Sequence, residues 1–326
     1  MGDRLSQFAV HDAILLVRHS FALPRLLYLL HTSPAFLSPL SKYDAVLCSV
    51  LSDLLNVSIN VESPCWTQAS LPIRSGGLGI RSAVQFAPSC YLSSAAASND
   101  LVSHILPNIS LPSSLAFVDK AQSLWLSKFD SISLPSSDSI IHQKAWDEPQ
   151  IQASFDHLLS SAEDDLALAW LNAVSAPESG AWLQALLISS LGLRLDDIAV
   201  QTGAALRLGL PVCVPHSCRL CGASVDSLGL HGLTCKRGNR RFHRHAAVSE
   251  VLHRALSSAG ISSTLEPSGH SRSDGKQLDG MTLVPWERGK PLVWDATVPD
   301  SLATSYSSQA ITATGAVAAL AVTQGG

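Results

Sequence analysis

The sequence predicts a mostly α-helical chain that closes in a small α+β module. Apolar residues recur at helical intervals through residues 4–60 and again between 154 and 210. After residue 246 the pattern changes to one amphipathic helix followed by short alternating or apolar runs. Between the two lies a cluster of cysteines and a histidine at metal-ligand spacing. With 326 residues, 46% of them hydrophobic and 15% charged, the chain has enough apolar material for two domains or three small ones.

The elements follow in order. "AILLVRHSFALPRLLYLL" is helical with a break at Pro24, and "LSKYDAVLCSVLSDLLN" repeats apolar residues every three or four positions. Pro, Gly and Ser make residues 63–80 a loop, and an Ala/Ser-rich helix follows near 82–97. Residues 98–150 are punctuated by Ser and Pro and read as short helices in a connector. "SFDHLLSSAEDDLALAWLNAV" and "SGAWLQALLISSLG" add two helices, the second starting from Ser179–Gly180, and "LDDIAVQTGAALRLGL" adds another. In "AAVSEVLHRALSSAG" residues Val248, Val251, Leu252, Ala255, Leu256 and Ala259 share one face, expected to cover a sheet, and Gly260 ends the helix. "SSTLEP", "DGMTLVP" and "KPLVWDATV" are strands, with "WERGK" as a hairpin turn, and "SLATSYSSQAITATGAVAALAV" is a final helix. The segments are therefore 1–97, a helical connector at 98–205, a metal loop with its basic strip at 206–245, and the α+β module at 246–326.

The net charge of −4 excludes nucleic-acid binding by overall charge. Seven cysteines are an odd number, and charges interrupt the apolar residues after Met1, so no signal peptide and no disulfide framework are expected. Reduced thiols in nucleus or cytosol are the expectation, the nucleus favoured. No uninterrupted apolar run reaches membrane-spanning length, so no membrane partner is expected.

Cys218-x2-Cys221-x9-His231-x3-Cys235 is a ligand set suited to zinc, which takes four thiolate or imidazole donors in a tetrahedron. Four protein ligands leave no open position, so the ion would be structural. Gly222, Gly229 and Gly232 give the loop its turns, and Cys213 and His216 are spare donors nearby. Lys236, Arg237, Arg240, Arg241 and Arg244 follow directly, with His245, as a strip suited to the phosphate backbone of DNA. Asp279 and Asp295 sit on the two arms of the hairpin, where they can meet at one end of the sheet, and Glu266 closes the strand before them. Paired carboxylates suit Mg2+ or Mn2+, although hairpin strands carry terminal Asp residues for other reasons.

Together the residues resemble a known family. "CRLCG…GLHGLTC…RRFHRHAAVSEVLHRAL…LEPSG…LDGMTLVPW…LVWDATV" resembles the C-terminal region of non-LTR-type retroelement reverse transcriptase proteins, where a restriction-enzyme-like endonuclease follows a Cys-Cys-His-Cys zinc motif. "HDAILLVRHSFALPRLLYLLHTSPAF" and "WTQASLPIRSGGLGIRSA" resemble the thumb and the segment after it. The resemblance implies zinc on Cys218, Cys221, His231 and Cys235, and matches Arg244–His245 to the Arg/Lys–His pair opening the nuclease helix. It makes Asp279 and Asp295 the two acidic residues of a PD-(D/E)xK site, with Glu266 as a third. The implied activity is Mg2+- or Mn2+-dependent nicking of DNA, with RNA of the element as a further partner.

This sequence departs from the family at Leu278, where the pattern has Pro, and at Thr297, where it has Lys; no lysine follows in residues 301–326. Lys276 and Lys290 are the lysines near enough in sequence to substitute. The strand that usually follows the last helix is lacking, so a truncated helix–three-strand–helix nuclease is expected. Asp164–Asp165 and Asp196–Asp197 lie in amphipathic helical contexts rather than a polymerase hairpin, so a palm would have to come from a longer chain. Two readings result: a retroelement fragment with an impaired nicking site, or a non-catalytic zinc-stabilised nucleic-acid-binding or structural module.

Overall fold

The computed structural model describes residues 2–34, 36–107, 115–128, 133–235, 237–238, 240–269 and 277–325. The chain is mostly helical, with a small C-terminal module of two small antiparallel sheets. It divides into two units, Met1–Val212 and Cys213–Gly326.

The first unit begins with α1 (Gly2–Leu5) and α2 (Val10–Leu16), which runs into a five-residue π-helical turn at Val17–Phe21. After α3 (Leu27–Thr32), α4 (Leu37–Leu55) ends at Asn56, which takes the left-handed conformation (φ 53°) that Asn tolerates at a C-terminus. Residues Val10–Thr32 are long and apolar enough, by length and composition alone, to cross a membrane, although Asp12, Arg18 and Arg25 interrupt the stretch. Here Val10, Ala13, Ile14 and Val17 are buried against α4 residues such as Leu47 and Leu51.

The 63–80 segment is not all loop. Ser63 accepts the Trp66 N–H and Pro64 occupies the first helical position, so α5 (Pro64–Ser70) starts there and buries Trp66. Asp44 of α4 then accepts N–H bonds from Ala83 (2.7 Å) and Val84 (3.3 Å), as well as the Ser82 hydroxyl, which fixes the start of α6 (Ala83–Ile105). Small residues Ala83, Ala87 and Cys90 on α6 let α3 approach through Leu30.

The connector is more regular than its Ser/Pro content suggests. It holds α7 (Ala116–Leu126) and α8 (Gln143–Ser160), joined by an edge-to-face Trp125–Trp146 pair 5.2 Å apart. The next predicted helix is cut in two, because Asp164 caps α9 (Asp165–Val174) by accepting the Ala167 N–H at 2.7 Å. "SGAWLQALLISSLG" forms only α10 (Ala181–Gln184) and a 3-10 turn. Asp196 caps α11 (Asp197–Arg207) in the same way, and Asp197 accepts the Val10 N–H, so both Asp-Asp pairs serve helix starts.

Arg207 closes this unit. It is buried without a carboxylate, and its donors reach Gly77 O (3.0 Å), Ile73 O (2.6 Å) and Ser179 Oγ (3.1 Å). Gly180 makes the space: a Cβ there would lie 2.2 Å from Ile73 and 2.9 Å from the Arg207 guanidinium.

In the second unit, β1 (His216–Ser217) and β2 (Ser224–Val225) form one hairpin, followed by α12 (Leu230–Thr234) and α13 (Arg240–Ser258). β3 (Ser263–Leu265), β4 (Gly280–Thr282) and β5 (Val293–Trp294) form an antiparallel sheet in the order β3-β4-β5. The predicted final helix is broken into α14 (Ser307–Ala310) and α15 (Ala316–Gly325), with Gly315 left-handed (φ 72°) between them.

One expectation about α13 is overturned. Val248, Val251, Leu252 and Ala255 are exposed rather than laid on the sheet. The inward face is polar: His245, Ser249 and His253 recur every four residues, Ser249 is buried, and His253 Nδ1 lies 2.8 Å from Ser263 Oγ on β3.

Candidate metal centre and the acidic sheet end

The β1–β2 hairpin positions the first two donors. Gly222 takes φ 79° and donates to Cys218 O at 2.8 Å, while Cys218 N–H reaches Ala223 O, so the turn folds back on itself and presents both thiols. The second pair comes from one helical turn: Cys235 N–H donates to His231 O at 2.8 Å, which places both side chains on one face of α12. The four donor atoms lie within 4.8 Å of one another. Cys218 and Cys235 sulfurs are 3.9 Å apart, Cys221 and Cys235 sulfurs 3.8 Å, and His231 Nε2 is 3.1 Å from Cys221 Sγ. Zn–S bonds of about 2.3 Å in a tetrahedron require sulfurs roughly 3.8 Å apart, so the set fits zinc. The Leu220 and Cys221 N–H groups pull the Cys218 thiol down to about 6, toward the thiolate a metal needs. Cys213 turns its thiol to Asp226 O and His216 its ring to Val214 O, so neither spare donor replaces one of the four.

Among the described residues this is the one group of three or more Cys, His, Asp or Glu side chains close enough to share an ion. It is the coarse identity the site supports: a Cys3His cluster able to bind a metal. Comparison with protein-family models and with the curated proteins finds no match.

The basic strip divides. Lys236 lies outside the described residues, and of Arg240 and Arg241 only the backbone is described. Arg237 is exposed, with Nη1 3.4 Å from Leu220 O. Arg244 is half-buried, and its Nη2 donates to Leu233 O at 3.0 Å, between two metal ligands. His245 turns to the sheet, with Nε2 3.1 Å from Asp279 Oδ2.

Asp279 and Asp295 stand one step beyond the Gly280–Trp294 pair of β4 and β5, and their side chains are hydrogen-bonding neighbours. Burial pushes the Asp279 carboxyl up and the adjacent Asp295 pushes the same way, while the Ala296 N–H and the His245 ring oppose them. Glu266 follows β3 with φ 46°; its N–H reaches Asp279 O at 3.0 Å, but its side chain is exposed and joins no three-donor cluster with the pair. Thr297 is exposed, Lys290 sits exposed in the hairpin turn, and Lys276 lies outside the described residues.

Two residues that sequence reasoning passed over shape this end. Trp294 packs against Gly280, where a Cβ would lie 2.0 Å from the indole. Ser249 is buried on the α13 face between His245 and His253. The four-residue spacing of these polar side chains was the available signal, masked by the more conspicuous apolar stripe opposite.

Proposed function

We propose that this chain is the zinc and endonuclease-like region of a retroelement reverse transcriptase protein, binding DNA through the strip after the metal loop and nicking it poorly. One observation carries the reading: Arg244 is bonded to the metal loop, and the next residue, His245, meets Asp279 beside Asp295. A zinc-stabilised loop, a basic helix start and a paired carboxylate site are thereby consecutive in one unit, as the family resemblance requires. Asp279 and Asp295 offer the hard oxygen donors that Mg2+ or Mn2+ prefers. A divalent ion there would acidify a water and offset phosphate charge. RNA of the element is a second ligand, the nucleus is the compartment, and polymerisation belongs to a palm elsewhere.

The site is impaired in this reading because Thr297 stands where a cation belongs. Loss of one group that stabilises transition-state charge costs about 10²–10³ in rate. The same observation favours a second reading, a zinc-stabilised binding module without catalysis. Supercoiled plasmid incubated with Mg2+ or Mn2+ separates them. Slow nicking abolished in Asp295→Ala supports the first; salt-dependent DNA binding without nicking supports the second. Absence of both rejects the nucleic-acid reading.

A further inference from the structure

A pocket of about 570 Å3 opens in the first unit, lined by Arg18, His19, Ile73, Arg81, Phe86 and Gln184 among others. Arg18 and His19 come from the π-helical turn that continues α2, a local geometry that recurs at functional sites. Gly79 admits the Arg18 stem, since a Cβ there would come 3.0 Å from Arg18 Cδ.

The charge arithmetic of the pocket is uneven. Arg81 pairs with Asp147, the one carboxylate among the lining residues, and that pair is largely buried. Arg18 has no carboxylate among its hydrogen-bond partners: Nη2 donates to Leu183 O and Nε to His19 Nε2 at 3.2 Å. Its Nη1 is shielded from solvent and makes no hydrogen bond. A guanidinium stays protonated at neutral pH, so the pocket carries one uncompensated positive charge. Arg207 is the informative contrast. It too lacks a carboxylate, yet Nε, Nη1 and Nη2 each reach an acceptor inside the protein. Arg207 is complete as it stands; Arg18 is not, and a partly buried cation left without an anion is a costly arrangement.

The geometry points to a phosphate-binding site in this pocket, anchored by Arg18, with His19 and Gln184 able to orient the remaining oxygens. One spare positive charge matches a singly charged phosphodiester better than a phosphate dianion, and the unbonded Nη1 is the donor left to meet a phosphate oxygen. The site stands in the first unit and does not depend on the metal-loop reading. Both free phosphate and a nucleic-acid backbone carry the chemistry.

The test titrates the full chain calorimetrically with inorganic phosphate and with the dinucleotide TpT, which has a diester and no terminal phosphate, at matched ionic strength in chloride. The parent chain binds at least one probe, and Arg18→Gln weakens that binding about tenfold or more. Tighter TpT binding identifies a strand backbone as the source, and tighter inorganic phosphate binding identifies the free ion. No binding of either probe by the parent overturns the site, as does equal affinity in parent and a folded Arg18→Gln. Should Arg18→Gln fail to fold, Arg18→Lys decides: it keeps the charge but loses the Nη1 donor. A severalfold weaker affinity then supports the site, and unchanged affinity counts against it.

Discussion

Arg207 shows how one side chain can hold a fold together without a counter-ion. Burial pulls its guanidinium down to about 10, so it remains charged at neutral pH and donates hydrogen bonds to the backbone carbonyls of Ile73 and Gly77. Arg207→Met removes those bonds and leaves the carbonyls unpaired, so it should cost roughly 2–4 kcal/mol in denaturant unfolding. An effect within 0.5 kcal/mol would show that the bonds contribute nothing net. Lys128 gives a pH signature in the same unit. Burial lowers its amine from 10.5 to about 8, and its Nζ donates to Val84 O. A depressed folded-state pKa means that stability present above about 10.5 is lost as pH falls toward 8. The parent should therefore gain stability from pH 8 to 10.5 relative to Lys128→Met, by at most about 1.4 kcal/mol per pH unit. Parallel curves for the two proteins would contradict the buried amine.

Among the elements, α13 is the most informative correction. Helical periodicity located it, but periodicity cannot say which face a helix buries when polar residues find partners on a sheet. His245 on Asp279 and His253 on Ser263 turn the polar face inward, and Leu252 is left 40% exposed. Leu252→Ser should consequently cost less than about 1 kcal/mol. Gly280→Ala should cost more, about 1–3 kcal/mol, because Trp294 occupies the space of the new Cβ. Thermal melting followed by tryptophan fluorescence ranks the two, and the reverse order would restore the apolar face as the buried one. The hairpin strands were readable because their alternation and turn are local. α5 was passed over because Pro, Gly and Ser around it read as loop, although Ser63–Pro64 is itself a helix start. The connector was obscure because α7 and α8 depend on the Trp125–Trp146 contact, 21 residues apart in sequence.

At the scale of the whole molecule, the metal cluster was the feature most fully legible in sequence. Its four donors lie within 18 residues, and two tight turns suffice to gather them. The meeting of Asp279 and Asp295 needed a register that the strand pattern only allowed, and the His245 contact needed α13 to pack as it does. Among its described residues the second unit has short strands and few large buried aliphatic side chains, so its stability should rest heavily on the ion, as in other small metal modules. X-ray absorption at the zinc edge, on the purified 326-residue chain with its metal content quantified, tests this most directly. One zinc per chain, with three sulfurs at about 2.3 Å and one nitrogen at about 2.0 Å, is the expected result. A metal-free protein, or zinc with an all-oxygen and nitrogen shell, would contradict it.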